Sequence, residues 1–222
     1  MTIKPNVIVA HYKEALKWTD DIDRERYNVL IFSKTKREDV EMFQAENKGC
    51  EASAYLEYIV KYYDSLPEWS VFVHGHEFSK HHDGKLQDLV NKLEFKAPYF
   101  NFNKGSWPWN NYRINGVNMK ESNAYPVLRE VIPTLFSPLK SKFDFDHRTW
   151  RGKMCAQFYV HRDLIKRHSL DDYKTLLNNL YTYTHPKHND KHKAIYFEWL
   201  WFFIFTGEYD EKDYYIRHGL PA

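Results

Sequence analysis

Glycine is scarce in this chain, at 8 of 222 residues, and neither glycine-rich phosphate-binding signature, G-x-G-x-x-G or G-x-x-x-x-G-K-[ST], occurs in it. Their absence excludes the nucleotide-binding classes in which backbone loops cradle the phosphate groups. A nucleotide diphosphate would instead have to be held by a metal ion or by lysine and arginine side chains.

Cysteine and long apolar runs are also rare. Cys50 and Cys155 are too few for a disulfide scaffold and favour reduced thiols in a reducing compartment, with one structural bridge as the alternative. The longest apolar run, residues 196–205, contains Glu198 and is shorter than the ~18 residues that a membrane span needs. We therefore expect a soluble protein without a membrane span.

Neither sign of charge dominates. Lys and Arg number 32 and Asp and Glu number 30, which leaves a formal net charge of +2. This balance lacks the basic footprint of a DNA-binding or membrane-binding protein, so we expect no nucleic-acid partner.

Aromatic residues, by contrast, are abundant, at 18% of the chain. Apolar residues make up 43%, enough for a sizeable core, and the length suits one domain, which we assign to residues 1–222, alone or as part of a longer polypeptide. The aromatic excess suits a rigid pocket wall for a flat or sugar-like ligand.

Apolar runs of strand type alternate with helical periodicity in the first half of the chain. Residues 7–10, 29–32 and 70–73 predict strands, and residues 51–63 predict a helix with apolar positions three and four apart. Short connections between such elements are typical of an α/β fold with a mainly parallel sheet covered by helices.

The second half is less regular. Residues 95–151 lose periodicity, and we interpret them as short helices and loops that build one wall of a site. Residues 154–160 predict a strand, residues 170–181 a capped helix, and residues 194–205 a helix that is apolar all round and therefore buried.

The strongest local signal for chemistry is VFVHGHE at 71–77. It follows a predicted strand, where ligands bind in open α/β sheets. His74 and His76 could share a metal ion with Glu77 or water completing the shell; the alternative is a pair of structural histidines. The pattern departs from the His-x-His-x-Asp-His signature of binuclear zinc hydrolases.

Three acidic residues are candidates for proton transfer. Glu198 lies in a predicted buried helix, where burial would raise its pKa and suit a general base; pairing with Arg or with backbone amides is the alternative. Asp144 and Asp146 resemble an acidic pair that holds a metal ion, but they follow no clear buried strand and also suit a solvated loop.

Three further residues are candidates for substrate binding. Gln157 is a polar residue inside a predicted strand and binds either ligand or backbone. Trp107 and Trp109 either stack on a sugar face or pack within their loop.

Five segments, taken in order, resemble a family of uncharacterised domains found in fungi, algae and large viruses. They are NKGCEASAYL at 47–56, YDSLP at 63–67, VFVHGH at 71–76, MCAQF at 154–158 and FEWLW at 197–201. The resemblance extends over about residues 7–207, although the family often has Arg where Cys50 stands. A described member of this family resembles the GT-A-type glycosyltransferase domain of a chlorella-virus enzyme that glycosylates the major capsid protein.

The resemblance implies a GT-A-like, Rossmann-like fold, a UDP-sugar donor and a divalent metal, Mn²⁺ or Mg²⁺. It places Ala10, His11 and Tyr12 near the nucleobase and the metal near 74–77, where His replaces the usual Asp. The acceptor would be a glycan or glycoprotein, such as a viral capsid glycoprotein, and the location cytoplasmic, in the host if the source is viral. The alternatives are a metal-dependent hydrolase using His74 and His76, and a non-catalytic carbohydrate-binding module.

Overall fold

The computed structural model describes residues 3–36, 43–104, 117–118, 124–143, 149–150, 152–154 and 156–220, and at 117–118 and 149–150 it describes the backbone alone. Within these ranges one six-stranded sheet carries the fold, in the order β3-β2-β1-β4-β8-β5. A separate antiparallel pair joins β6 (Val117–Asn118) to β7 (Thr149–Trp150).

Four parallel strands form the larger part of the sheet. They are β1 (Asn6–His11), β2 (Asn28–Ser33), β3 (Phe43–Gln44) and β4 (Trp69–His74). Strand β1 is buried along its whole length, which explains the continuous apolar run at its centre, residues 7–10. The predicted strands at 7–10, 29–32 and 70–73 are confirmed.

The other two strands run in the opposite sense to their neighbours. Strand β8 (Phe158–His161) pairs antiparallel with β4, and β5 (Tyr99–Asn101) pairs antiparallel with β8. The sheet is therefore mixed, which corrects the expectation of a mainly parallel sheet on this side. The strand predicted at 154–160 begins only at Phe158, so Gln157 precedes it.

Helices cover both faces of the sheet. Side chains alternate along β1, so that Ile8 packs with α1 (Glu51–Tyr62) while Val7 and Val9 pack on the opposite face. The first face also carries α5 (Leu170–Thr182) and α6 (Asp190–Thr206). Helix α6 is buried nearly all round, as its sequence predicts, and α5 begins with the expected capping box.

The remaining elements are shorter. They are the helices α2 (Leu86–Asn91), α3 (Tyr125–Leu135), α4 (Arg162–Ile165) and α7 (Glu211–Arg217). Three 3₁₀ segments lie between β1 and β2 (Lys17–Asp21), after α1 (Tyr63–Ser65) and after α3 (Ser137–Lys142). No helix among the described residues is both long and apolar enough to cross a membrane.

The connections from β1 and β4 determine where a ligand can bind. The chain leaves β1 for β2 on one side and returns past β1 to β4 on the other, so the direction of strand order reverses between β1 and β4. In open α/β sheets a crevice forms at the carboxyl ends of two such strands. Here those ends are His11 and His74.

Candidate functional site

A cavity of about 790 Å³ lies at this crevice. Its walls come from the ends of β1 and β4, from Lys34 after β2, from the amino end of α1 and from the amino end of α6. The volume is within the range of small-molecule sites, roughly 300–1,000 Å³. The segments 10–12 and 74–76, which the sequence predicts as site residues, both contribute to the lining.

The end of β1 is held by side-chain hydrogen bonds. The buried ring of His11 places Nδ1 2.8 Å from Oγ of Ser33 and Nε2 3.1 Å from the carbonyl of Glu14. Both ring nitrogens are thus used within the protein, and His11 shapes the cavity wall. Tyr12 is 39% exposed and presents an aromatic face at the same wall.

Glu14 joins the ends of β1 and β4. Its Oε2 accepts hydrogen bonds from the backbone N–H groups of Tyr12 (2.7 Å) and Lys13 (3.0 Å), and its Oε1 lies 3.3 Å from Nε2 of His76. Partial burial opposes the charge, but these N–H groups and His76 outweigh it and hold the pKa of Glu14 below its usual value.

Gly75 permits this close approach. A Cβ atom at Gly75 would lie 2.9 Å from Oε2 of Glu14 and 3.1 Å from the carbonyl oxygen of Ala10. The carbonyl of Gly75 in turn accepts a hydrogen bond from Nε1 of Trp18 at 2.9 Å. Any larger residue would push the ends of the two strands apart.

Two more histidines face the cavity. The rings of His74 and His81 are nearly perpendicular, with centroids 5.5 Å apart. Burial is the main cause that lowers the pKa of both to about 4, so both are neutral at physiological pH. Nε2 of His74 is buried and has no hydrogen-bond partner among the described residues.

Glu77 does not join the histidines at this cavity. Its Oε1 accepts a hydrogen bond from Nε2 of Gln87 at 3.0 Å and lies 3.3 Å from Nζ of Lys85. It lines a neighbouring, more open cavity of about 460 Å³. The described residues contain no group of three or more His, Cys, Asp or Glu side chains in a metal-binding arrangement. The predicted set of His74, His76 and Glu77 therefore does not converge on one point.

A pair of buried carboxyl groups stands at the amino end of α1. Glu51, the first residue of α1, lines the cavity; Glu198 on α6 lies behind it, 7% exposed, and does not line the cavity. The two side chains are hydrogen-bonded to each other. No N–H or hydroxyl group of the described residues donates to Oε1 of Glu51 or to Oε2 of Glu198.

Both carboxyl groups have raised pKa values, and the surroundings favour the proton on Glu198. Burial is the largest cause that raises the pKa of each, and the charge and hydrogen bond of Glu51 hold the pKa of Glu198 well above its usual value. The same hydrogen bond, together with the backbone N–H of Glu51, partly offsets the rise in the pKa of Glu51. Glu198 therefore carries the proton and Glu51 is the more acidic member, next to the cavity.

Three lysines line the cavity: Lys34, Lys80 and Lys191. Nζ of Lys34 donates hydrogen bonds to the carbonyl of Lys48 (2.9 Å) and to Oγ of Ser53 (2.8 Å). Burial lowers the pKa of Lys34, and the charges of Cys50 and Glu51 partly offset that effect.

The amino end of α1 faces the same space as these lysines. Gly49 and Cys50 precede the helix with φ of 63° and 46°, and Cys50 provides no side-chain cap. A helix of this length directs a partial positive charge toward its amino end.

Gln157 is part of a different polar cluster. It is fully buried, its Nε2 donates to Oδ1 of Asn103 at 3.1 Å, and its backbone carbonyl accepts from Nδ2 of Asn103 at 3.0 Å. Asn103 is bonded to Asn101, whose Nδ2 donates to the carbonyl of Met154 at 2.7 Å. Gln157 does not line the cavity, and its main bonds are to the protein itself.

Four predicted site residues lie outside the described residues: Trp107, Trp109, Asp144 and Asp146. Glu14, Lys34 and Glu51, conversely, line the cavity although the sequence analysis did not select them. Glu51 could have been found as an acid at the start of a helix after a Gly-Cys turn. Lys34 and Glu14 carry no signal in the sequence beyond following the first two strands.

The fold and the cavity together define an α/β protein with a candidate site at the switch point of a mixed sheet. The chain belongs to the family described as "Protein of unknown function (DUF3431)", whose model matches residues 7–214. No curated protein and no solved structure matches the chain.

Proposed function

We propose that this protein is a glycosyltransferase that moves a hexose or deoxyhexose from a UDP-sugar to a glycan acceptor. The observation that carries the proposal is the cavity at the β1–β4 switch point, where three lysines and the amino end of α1 face the same space. The mixed sheet is compatible with the GT-A-like fold that the sequence resemblance implies. A viral capsid glycoprotein as acceptor rests on that resemblance alone.

The cavity offers a complementary surface for each part of a nucleotide sugar. Lys34, Lys80 and Lys191 line the cavity and can neutralise the two phosphates. The exposed ring of Tyr12 can stack on the base. Two of the acidic side chains on the wall have basic neighbours: Oε1 of Glu14 lies 3.3 Å from Nε2 of His76, and Oδ1 of Asp190 lies 2.9 Å from Nζ of Lys193. Glu51 is the third acidic side chain of the lining, so the diphosphate has to bind on the lysine side of the cavity, away from Glu51.

The divalent ion that the resemblance implies does not fit the predicted ligands. His74 offers a buried, unpartnered Nε2, but Glu77 is bound to Gln87 and Lys85 outside the cavity. In this proposal the lysines, and not a metal ion, neutralise the diphosphate.

Calorimetric titration with UDP, in the presence and absence of Mn²⁺, tests the proposal. We expect binding by the wild-type protein and roughly tenfold weaker binding by Lys191→Met, as removal of one charged hydrogen-bond donor costs about 1.5 kcal/mol. Lys187→Met is the matched control, because Lys187 lies on the same segment outside the cavity lining. No heat with UDP or with other nucleoside diphosphates would overturn the proposal.

A hydrolase that uses the histidines is the second candidate. The neutral, adjacent imidazoles of His74 and His81 at the cavity wall favour it, because neutral imidazole is a common metal ligand. It predicts stoichiometric zinc in the purified protein, lost in His74→Ala, and no UDP binding. A carbohydrate-binding module instead predicts glycan binding without nucleotide binding.

A further inference from the structure

We propose that Glu51 and Glu198 form the proton-accepting pair of the cavity, with Glu51 as the catalytic carboxylate and Glu198 as the positioning residue, and that the acceptor is an alcohol hydroxyl. This inference rests on the proposed function. It differs from the sequence prediction, in which Glu198 acts alone as the base.

Position distinguishes the two carboxyl groups. Glu51 lines the cavity at the amino end of α1, whereas Glu198 is enclosed by the buried face of α6 and reaches the cavity only through Glu51. A general base must come within hydrogen-bond distance of the proton that it removes. Only Glu51 meets that requirement.

Unused hydrogen-bonding capacity is the second observation. Oε1 of Glu51 and Oε2 of Glu198 are buried and receive no hydrogen bond from an N–H or hydroxyl donor of the described residues. Such atoms are costly to bury. An acceptor hydroxyl in the cavity would supply a donor to Glu51, whereas a carboxylate or phosphate acceptor would be repelled by it.

The surroundings favour the proton on Glu198 over the proton on Glu51. Glu51 and its neighbours Lys34 and Cys50 interact with one another, and Glu51 and Cys50 also interact with Glu198. The other titratable groups around these three residues are His81, Asp190 and Glu57. Lys34 is close enough to favour the ionised form of Glu51. A negative charge on Glu51 in turn disfavours a second one on Glu198.

The step is a single displacement. The acceptor oxygen forms a bond to the anomeric carbon while the bond from that carbon to the diphosphate oxygen breaks and its electron pair leaves with the diphosphate. The hydroxyl proton passes to Glu51, which later releases it to solvent through the open side of the cavity. Glu198 keeps its proton throughout and orients the Glu51 carboxylate.

Release of UDP from UDP-glucose is the first arm of the test. We expect Glu51→Gln to lose about 10²–10⁴-fold in rate, the usual contribution of a general base. Glu198→Ala should also lose most of the rate and move the acid limb of the pH profile upward, because Glu51 loses the hydrogen bond that lowers its pKa. Glu198→Gln, which keeps a neutral donor, should recover the rate to within about tenfold.

Infrared spectroscopy of the ligand-free protein is the second arm. At a pH well above the ordinary pKa of glutamate, about 4.3, we expect the absorption band of a protonated carboxyl group that is lost in Glu198→Gln. Glu211→Gln is the matched control, because Glu211 is also buried and its own band should disappear as pH rises through its pKa of about 7.

The kinetic and infrared experiments distinguish failure of the carboxyl pair from failure of the proposed function. Wild-type rates in Glu51→Gln, or a missing infrared band in the wild-type protein, would overturn the pair while leaving UDP binding intact. Failure of UDP to bind would overturn the proposed function whatever the infrared result.

Discussion

Glu198 and Glu211 are both buried glutamates, at 7% and 1% exposure, yet their hydrogen bonding is opposite. Each oxygen of Glu211 has a donor, the hydroxyl of Tyr215 at Oε1 and the backbone N–H of Lys153 at Oε2. Glu198 instead faces a second carboxyl group, that of Glu51, beside a cavity. Burial of an acidic side chain therefore does not by itself indicate a functional site. The feature that distinguishes the pair of Glu51 and Glu198 is the lack of hydrogen-bond donors next to a cavity.

The hydrogen-bond networks around Glu211 and around Glu198 differ in the same way. The hydroxyl of Tyr215 also accepts from the backbone N–H of Asn101 at 2.8 Å, which links Glu211 to the cluster around Gln157. We interpret this cluster as structural, because its members bind one another and backbone groups. The cavity beyond Glu51 offers ligand-facing groups instead.

The largest expected effect comes from replacing each acid by methionine, which has a similar volume. Glu211→Met leaves the Tyr215 hydroxyl and the Lys153 backbone N–H without their acceptor, so we expect a loss of about 2–4 kcal/mol in the free energy of unfolding. Glu198→Met removes one hydrogen bond to Glu51 but also removes a buried oxygen that has no donor, so we expect a smaller change, within about 1 kcal/mol. Urea denaturation at neutral pH measures both; equal losses would break the comparison.

The pH dependence of stability gives the next effect. A carboxyl group with a raised pKa in the folded protein stabilises it at low pH, and that contribution is lost as pH rises from the unfolded value, about 4.3, through the folded value. For Glu211 this loss ends near its pKa of about 7. For Glu198, whose pKa is also raised well above its usual value, the contribution to stability is lost in the same direction.

Stability curves of two variants separate these contributions. Glu198→Gln should flatten the fall in the free energy of unfolding that begins above about pH 4.3, whereas Glu211→Gln should remove only the part of the fall that ends near pH 7. Each unit of pKa shift corresponds to roughly 1.4 kcal/mol. A Glu198→Gln curve that falls as steeply as the wild-type curve would contradict the raised pKa of Glu198.

Two glycines packed against acidic side chains provide a smaller test. A Cβ at Gly75 would lie 2.9 Å from Oε2 of Glu14, and one at Gly152 would lie 2.8 Å from Oε2 of Glu211. We expect both alanine variants to lose about 1–3 kcal/mol through overpacking. Only Gly75→Ala should also weaken UDP binding in calorimetry, because Glu14 lines the cavity and Glu211 does not. Equal effects of Gly75→Ala and Gly152→Ala on UDP binding would contradict the view that only the surroundings of Gly75 bind the ligand.

The smallest expected effect is that the NMR signals of one histidine ring do not change with pH. His74, with its pKa lowered to about 4, should show constant ring chemical shifts between about pH 5.5 and 8. Over the same range, signals near Glu211 should titrate with a midpoint near 7. An NMR titration in which His74 moves near its ordinary pKa would mean that its ring is not buried as described.

The sequence predicted the strands and the buried helix well because their signals are local. The apolar runs at 7–10 and 70–73 and the uniformly apolar α6 each carry their own pattern. Burial of Glu198 followed from that helix. The hydrogen bond from Glu198 to Glu51 did not follow, because it depends on how α1 and α6 pack.

The partners of two other candidate residues could not be predicted from the sequence for the same reason. Glu77 was a candidate ligand beside His74 and His76, and its carboxylate accepts a hydrogen bond from Gln87 of α2. Gln157 was expected inside a strand, yet it precedes β8 and binds Asn103. Both outcomes depend on partners distant in sequence.

The most direct test of the account is an NMR titration of glycine-labelled protein with UDP, since the chain has only 8 glycines and each amide gives one signal. Gly49 and Gly75 line the cavity, and Gly152 lies beside Glu211. We predict that the amide signals of Gly49 and Gly75 move with a common saturation curve while that of Gly152 stays in place. A shift of Gly152 with Gly49 and Gly75 unmoved, or no shift at all, would contradict the account.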